Sequence, residues 1–335
     1  MRYARPLGLL LSAAAVVLWA YGMTWWQPLT EPLGPWSETL PGNNTYWARD
    51  LRFMAIMAVP LGLVLAGRGQ LRWGGPAVVL GGCWVAADLA IDRADPIGVD
   101  ATVLLAVAGC GVLGVFAAVL LWWERRRPRT GEPGTAPAAD RRVLTGTACV
   151  AGVLTLVAAA IESPTDREPE LNQGALLTAA LLVVLTVVAA VAAAPARTWA
   201  RVGLAAGLTV VALLGVGLVR AAEPGTRLLP EAALGAVLLT GVTLLAWDWP
   251  GGRPIWWHHA LAALLALVGP MVFLVATALP MLVLPVGATF TALAGNSPIH
   301  AADSDLLFSL AGLLAGLGMA VLLARPSVDD RRQLR

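Results

Sequence analysis

The chain has 335 residues, 58% of them hydrophobic and 13% charged, and its mean hydropathy is +0.73. Soluble domains carry about 25% charged residues, so this composition excludes a soluble domain and points to an integral membrane protein. The formal net charge is only +2, and every one of the 23 basic residues is arginine; with no basic domain, nucleic-acid binding is excluded as well.

The chain opens with Met1-Arg2-Tyr3-Ala4-Arg5 and an apolar run to Trp19. This has the form of a signal sequence, and Ala20-Tyr21-Gly22 offers a small-x-small cleavage site. The further apolar runs behind it favour an uncleaved anchor. Residues 23–50 carry Trp25, Trp26, Trp36, Tyr46 and Trp47 among several prolines. Such amphipathic rings favour the membrane–water interface, so a large aromatic outer loop is expected here. Nine more apolar stretches follow, near 51–67, 76–91, 101–123, 143–161, 175–195, 202–221, 231–248, 258–280 and 305–324. The expected fold class is therefore all-α, a polytopic transmembrane helical bundle of about ten spans.

The arginines set the orientation. With both termini in the cytoplasm, 17 arginines fall inside and six, at 49, 52, 93, 167, 220 and 227, fall outside. The positive-inside rule favours that arrangement over its inverse. It corresponds to a bacterial-type cytoplasmic membrane. Residues 124–142, rich in Arg, Pro and Gly, read as a flexible cytoplasmic linker between a four-span block (1–123) and a six-span block (143–324), with 325–335 as a cytoplasmic tail. Anionic headgroups attract the arginines at the linker's ends.

Chemistry-bearing residues are few. No Walker loop, no G-x-S-x-G and no H-E-x-x-H occurs, and three histidines lack metal-ligand spacing, so no catalytic residues, metal or other cofactor are implied. Cys83, Cys110 and Cys149 fall in three different spans and are expected as buried small residues. Ionisable groups inside spans are costly and mark candidate functional positions. Asp88 lies about one turn from the outer end of its span, with Asp92 on the same face at i+4. The pair could hold a cation or share a proton; the alternatives are contact with the outer interface or pairing with Arg49, Arg52 or Arg93. Asp50 and Arg52 read as a charge pair at the outer rim, and Asp248 as a solvated span end. His258 and His259 read as part of an interfacial belt with Trp247, Trp249, Trp256 and Trp257.

The stretch 258–305 is unusual. No charge occurs from Ala260 to Ala294, and a straight helix of that length would span about 52 Å, against a hydrocarbon core of about 30 Å. Pro280 and Pro285 remove backbone donors that hydrocarbon cannot replace. The helix is expected to end near Pro280, with 281–304 as a non-helical or re-entrant outer cap. His300, Asp303 and Asp305 complete the candidate path residues as a cation- or proton-responsive cluster at the outer mouth.

Small residues at four-residue spacing (Ala106, Cys110, Gly114 and Ala118; Gly203 and Gly207; Gly312, Gly316 and Ala320) mark expected close-contact faces, within the bundle or toward a membrane-protein partner or second copy. In size and span number the chain resembles the permease subunits of vitamin B12 and siderophore ABC importers, and the stretch from Thr226 to Leu239 looks like a late segment of that family. The resemblance covers little of the chain. The family's glutamine- and asparagine-containing helix motif and its cytoplasmic coupling segment have no counterpart here, so it does not establish membership. It would imply a separate ATPase as partner. The functional expectation is a transporter or permease-like subunit for a small solute or ion; the alternatives are a non-transporting scaffold or assembly subunit of an envelope complex and, last, a lipid-acting membrane enzyme.

Overall fold

The computed structural model describes residues 3–30, 46–126, 138–161, 168–295 and 305–324. Helix α1 (Ala4–Tyr21) runs through a π-helical turn (Gly22–Trp26) into the short α2 (Gln27–Thr30). The others are α3 (Tyr46–Ala66), α4 (Leu71–Asp92), α5 (Val99–Arg126), α6 (Ala138–Ala160), α7 (Glu168–Ala193), α8 (Trp199–Ala221), α9 (Leu228–Ala246), α10 (Trp256–Val283), α11 (Val286–Leu293) and α12 (Asp305–Leu323). No strand occurs among the described residues. The all-α polytopic bundle read from the sequence is the fold observed.

Eight of these helices are long and apolar enough to cross a membrane. The two other long ones are α3, which carries Arg49, Asp50 and Arg52 near its start, and α12, whose described apolar stretch is Phe308–Leu323. Hydrocarbon tolerates such charges only when protein surrounds them. Helix α3 is accordingly enclosed: Leu51, Phe53, Met54, Ala55, Ile56 and Leu63 are all buried, alongside its charged residues. By contrast α10, α4, α5 and α8 are peripheral; only 17% of the apolar window of α10 is buried, against 83% for α6. The bundle has a near end, where α1 begins, and a far end, where α4 turns into α5.

Close approach depends on particular glycines. A Cβ on Gly8 of α1 would lie 2.5 Å from Ala66 N and Gly62 O of α3, and a Cβ on Gly62 would collide with Ser12 Oγ. Ser12 Oγ donates to Val59 O at 3.0 Å across the same seam. Gly312 and Gly316 of α12 pack on Val157 and Val150 of α6, each at 2.8 Å from a built Cβ. This stripe matches the sequence expectation, whereas in the α5 stripe only Ala106 and Cys110 pack against the core and the glycines of the other stripes face open space. Nothing lies within 4 Å of a Cβ on Gly114, Gly203 or Gly207. The buried stripe of α5 is instead Gly109, Leu113, Ala117 and Leu120. Of the cysteines, all free, only Cys149 is buried.

Helix ends leave carbonyls without intrahelical partners, and arginines satisfy several of them. At the near end Arg141 donates to Ala193 O (3.0 Å), Ala246 O (3.3 Å) and Asp248 Oδ1 (3.0 Å); Asp248 is thus ion-paired rather than simply solvated. Arg201 donates to Leu245 O (3.1 Å) and Trp247 O (2.8 Å) and lies over the Trp249 ring. At the far end Arg220 donates to Ile161 O (2.5 Å) and Asn172 Oδ1 (2.7 Å). The histidine pair also divides: His258 contacts Trp257, but His259 is buried, 3.1 Å from Thr243 Oγ1 and packed on Trp247. His259 is therefore a packing residue rather than an interfacial one.

Replacing Gly62 by leucine forces the α1–α3 seam apart and is expected to lower stability by about 1–3 kcal/mol or more. Gly114→Leu, in open space, leaves it unchanged. Thermal unfolding in detergent, followed by circular dichroism, distinguishes the two.

Candidate functional site

Two helices bring four charges together at the far end. Arg49 and Arg52, three residues apart, share a face of α3; Asp88 and Asp92, four apart, share a face of α4. Arg52 is bidentate on Asp88, with Nε to Oδ1 and Nη2 to Oδ2 both at 3.0 Å, and Nη2 also lies 3.1 Å from Asp92 Oδ2. Arg49 Nη2 reaches the same Asp92 oxygen at 2.9 Å. All four side chains are at most 1% exposed. Of the alternatives weighed for Asp88 and Asp92, the structure thus has the ion pairs, with Arg49 and Arg52. Arg52 is engaged across the bundle rather than with Asp50 at a rim.

Neutral donors complete the carboxylates. Trp19 Nε1 donates to Asp88 Oδ1 at 2.7 Å and Gln27 Nε2 to Asp92 Oδ1 at 2.5 Å. Gln27 reaches inward because of the π-helical turn before it; this part of the expected outer aromatic loop is helical and buried at Met23, Thr24, Trp26 and Gln27. π-Turns inside helices are frequent at functional sites. Gly22, inside that turn, leaves room for Arg52, whose Cγ would lie 2.7 Å from a Cβ there.

The network has a lid. Helix α10 continues one turn beyond Pro280, to Val283, before Leu284 and Pro285 break it. It is 28 residues long, about 42 Å at 1.5 Å per residue, which exceeds a bilayer's hydrocarbon core. Where a non-helical cap was expected, the eight-residue helix α11 follows Pro285 directly, and residues 296–304 of that stretch lie outside the described residues. Thr291 Oγ1 accepts from Arg49 Nη1 at 3.2 Å, Phe290 packs edge-on against Phe53, and Arg93 Nε donates to Leu293 O at 2.6 Å. Asp50 accepts from the Ser309 backbone N–H at 3.2 Å, joining α3 to α12. His300 and Asp303 lie outside the described residues. Asp305 opens α12; its side chain also lies outside the description.

Chemically the site is a charge-balanced ladder of two guanidinium and two carboxylate groups, with Asp50 beside it. Arg52 Nη1 is buried and has no hydrogen-bond partner among the described residues. No group of three or more His, Cys, Asp or Glu arranged to hold a metal ion occurs among the described residues. Comparison of the chain with protein families, curated proteins and solved structures finds no match in any of the three, so the resemblance of 226–239 to importer permeases gains no support.

The sequence pointed to Asp88, Asp92 and the broken α10, but not to Trp19, Gln27 or Thr291. Only the i,i+3 spacing of Arg49 and Arg52 opposite the i,i+4 spacing of the aspartates signals the pairing in advance. Arg52→Leu leaves Asp88 buried without its counter-charge and is expected to cost about 3–5 kcal/mol, while the double variant Arg52→Leu/Asp88→Leu costs much less. Chemical unfolding of the four proteins of that double-mutant cycle checks this; a loss in the double variant equal to the sum of the two single losses would show that the pair does not couple.

Proposed function

We propose that this multi-pass membrane protein is a transporter or permease-like subunit for a small solute or ion, with the Arg49–Arg52–Asp88–Asp92 ladder as a closed gate beneath α11. The supporting observation is the position of the ladder: its charges are fully buried, yet the cover above them is a short helix that follows directly on a proline break. Buried ionisable groups within membrane helices mark transport paths in many systems, and discontinuous helices are the usual backbone of such paths. Movement of α11 about Leu284–Pro285 would remove the Thr291 and Phe290 contacts and admit water or solute to Arg52 and Asp92.

The proposed setting is a bacterial-type cytoplasmic membrane crossed ten times, with α3 and α12 completing the eight strongly apolar spans and both termini in the cytoplasm. A reporter joined after Gly134 is then cytoplasmic and one joined after Gly225 is external; the reverse result refutes this orientation.

A second reading, a non-transporting scaffold, is favoured by one observation: both carboxylates are saturated with donors, as in a static lock. Reconstitution separates the two. Proteoliposomes challenged in stopped-flow light scattering with polyols, neutral amino acids and alkali-metal chlorides should relax faster than protein-free vesicles for one solute class. Arg52→Gln should change that rate by about tenfold, a barrier change of about 1.4 kcal/mol. Rates equal to those of protein-free vesicles for every class, with folded protein in the membrane, leave the scaffold reading standing and remove the transporter.

A further inference from the structure

Another carboxyl inside the membrane helices, Glu231, takes no part in the ladder. It stands in the first turn of α9, at the far end, and is only 6% exposed. The buried stripe of that helix runs through Glu231, Leu234, Gly235 and Leu238, three and four residues apart and so on one face. The surroundings of this face are apolar. A Cβ on Gly235 would lie 2.9 Å from Leu156 Cδ1 of α6 and 3.4 Å from Ala266 O of α10, and Leu234 packs on Gly215 of α8.

The carboxylates of the ladder are satisfied, each by arginine and a neutral donor. Glu231 has neither. Its side chain makes no hydrogen bond and no ion pair among the described residues, and it does not turn back to cap its own helix, as an acidic residue near a helix start can. The charged groups on the elements packed against α9 are directed elsewhere. Arg220, at the end of α8, donates to Asn172 Oδ1 and Ile161 O, and Arg227, one turn before Glu231, to Ala222 O and Ile161 O. Glu223, in the turn before α9, is exposed. Helix α6 carries no charge beyond Arg142 and α10 carries none. Helix α7 has Glu168 and Glu170 in its first turn, with side chains outside the described residues.

A carboxylate withdrawn from water without a counter-charge is costly, and a group so placed is neutralised by what it binds. A metal ion would need a shell of several oxygens, whereas this face offers leucine and glycine. A proton needs the carboxyl alone.

We propose that Glu231 is a proton-binding site within the membrane, loaded and emptied at the far end of the bundle. The turn before α9, with Gly225 and Thr226 exposed, brings water to within about one helical turn of it. The site is separate from the ladder and independent of the transport reading.

Infrared spectra of the full chain in liposomes, wild type minus Glu231→Gln, test the assignment. The carbonyl stretch of a protonated carboxyl should appear in the difference at about pH 7, where an exposed glutamate is ionised, and should vanish in strong base. Absence of that band at neutral pH overturns the proposal. Should Glu231→Gln fail to fold, dicyclohexylcarbodiimide, which attacks protonated carboxyls in apolar surroundings, tests the wild type directly. Peptide mass spectrometry should then find Glu231 modified about tenfold or more above the exposed Glu223, which is ionised at the same pH. Equal modification of the two by a water-soluble carbodiimide overturns the proposal, since it marks a solvated carboxylate. Protection of Glu231 by sodium chloride but not by choline chloride at fixed pH also overturns it, by assigning the site to a metal cation.

Discussion

The interaction on which the architecture depends is the Arg52–Asp88 pair. Moving two ions out of water costs several kcal/mol each even after relaxation, and only near-ideal geometry with further hydrogen bonds offsets it. Here the pair is bidentate, Trp19 supplies an additional donor, and Asp92 and Arg49 extend the same face. That requirement dictates the surroundings. Helix α3 must be enclosed by protein, α4 must stand beside it in one register, and α1 must widen into a π-turn so that Gly22 clears the Arg52 stem and Gln27 meets Asp92. Helix α11 then meets the ladder through Thr291.

The exclusive use of arginine as the basic residue has a physical counterpart in how the other helices are held. A guanidinium offers five donors in a rigid plane, so one side chain can serve several helix ends. Arg141 binds the last carbonyls of both α7 and α9 together with Asp248, and Arg201 takes two more carbonyls beside α9. A lysine ammonium is a compact, strongly hydrated charge and would bridge such spread acceptors poorly. In lipid, where no water reaches a buried carbonyl, these ties also place positive charge at the negative ends of the helix dipoles.

The order and approximate limits of the long helices were legible because each apolar run is long and its flanks are charged or rich in proline and glycine. The break after α10 was legible from Pro280 and Pro285, although the helix outlasts Pro280 by a turn, its Leu284 N–H closing on Pro280 O at 3.0 Å. A proline lacks its own donor but accepts normally, so the helix ends after it rather than at it. The small-residue stripes were poorly legible: Gly203 and Gly207 satisfy the same spacing as Gly312 and Gly316, yet only the second pair packs on another helix. Spacing gives a face, and which face meets protein is decided by tertiary position. In the site, Asp88 and Asp92 were visible as charges in an apolar span. Gln27 was not, since its inward direction arises from the π-turn, and Thr291 was not, since its role depends on the path taken after the break.

The ladder and its cover bear on why charges are kept at this depth. A well-packed apolar replacement of a buried ion pair is often more stable than the pair, so stability alone does not favour four charges here. A bundle needing only a fixed seam could use glycine and small-residue contacts, as α1 with α3 and α6 with α12 already do. Ion pairs differ from such seams in being directional: they hold one register and lose most of their attraction once water enters. The element beside them is also the least continuous in the bundle, since Leu284 and Pro285 separate α11 from α10 while Thr291 and Phe290 hold it down. Among the contacts of α11 are a hydrogen bond to Arg49, a ring contact with Phe53 and the Arg93 tie to Leu293, beside its packing on α12. The proposed gate requires these contacts to yield while the α3–α4 register persists; a permanent seal has no such need.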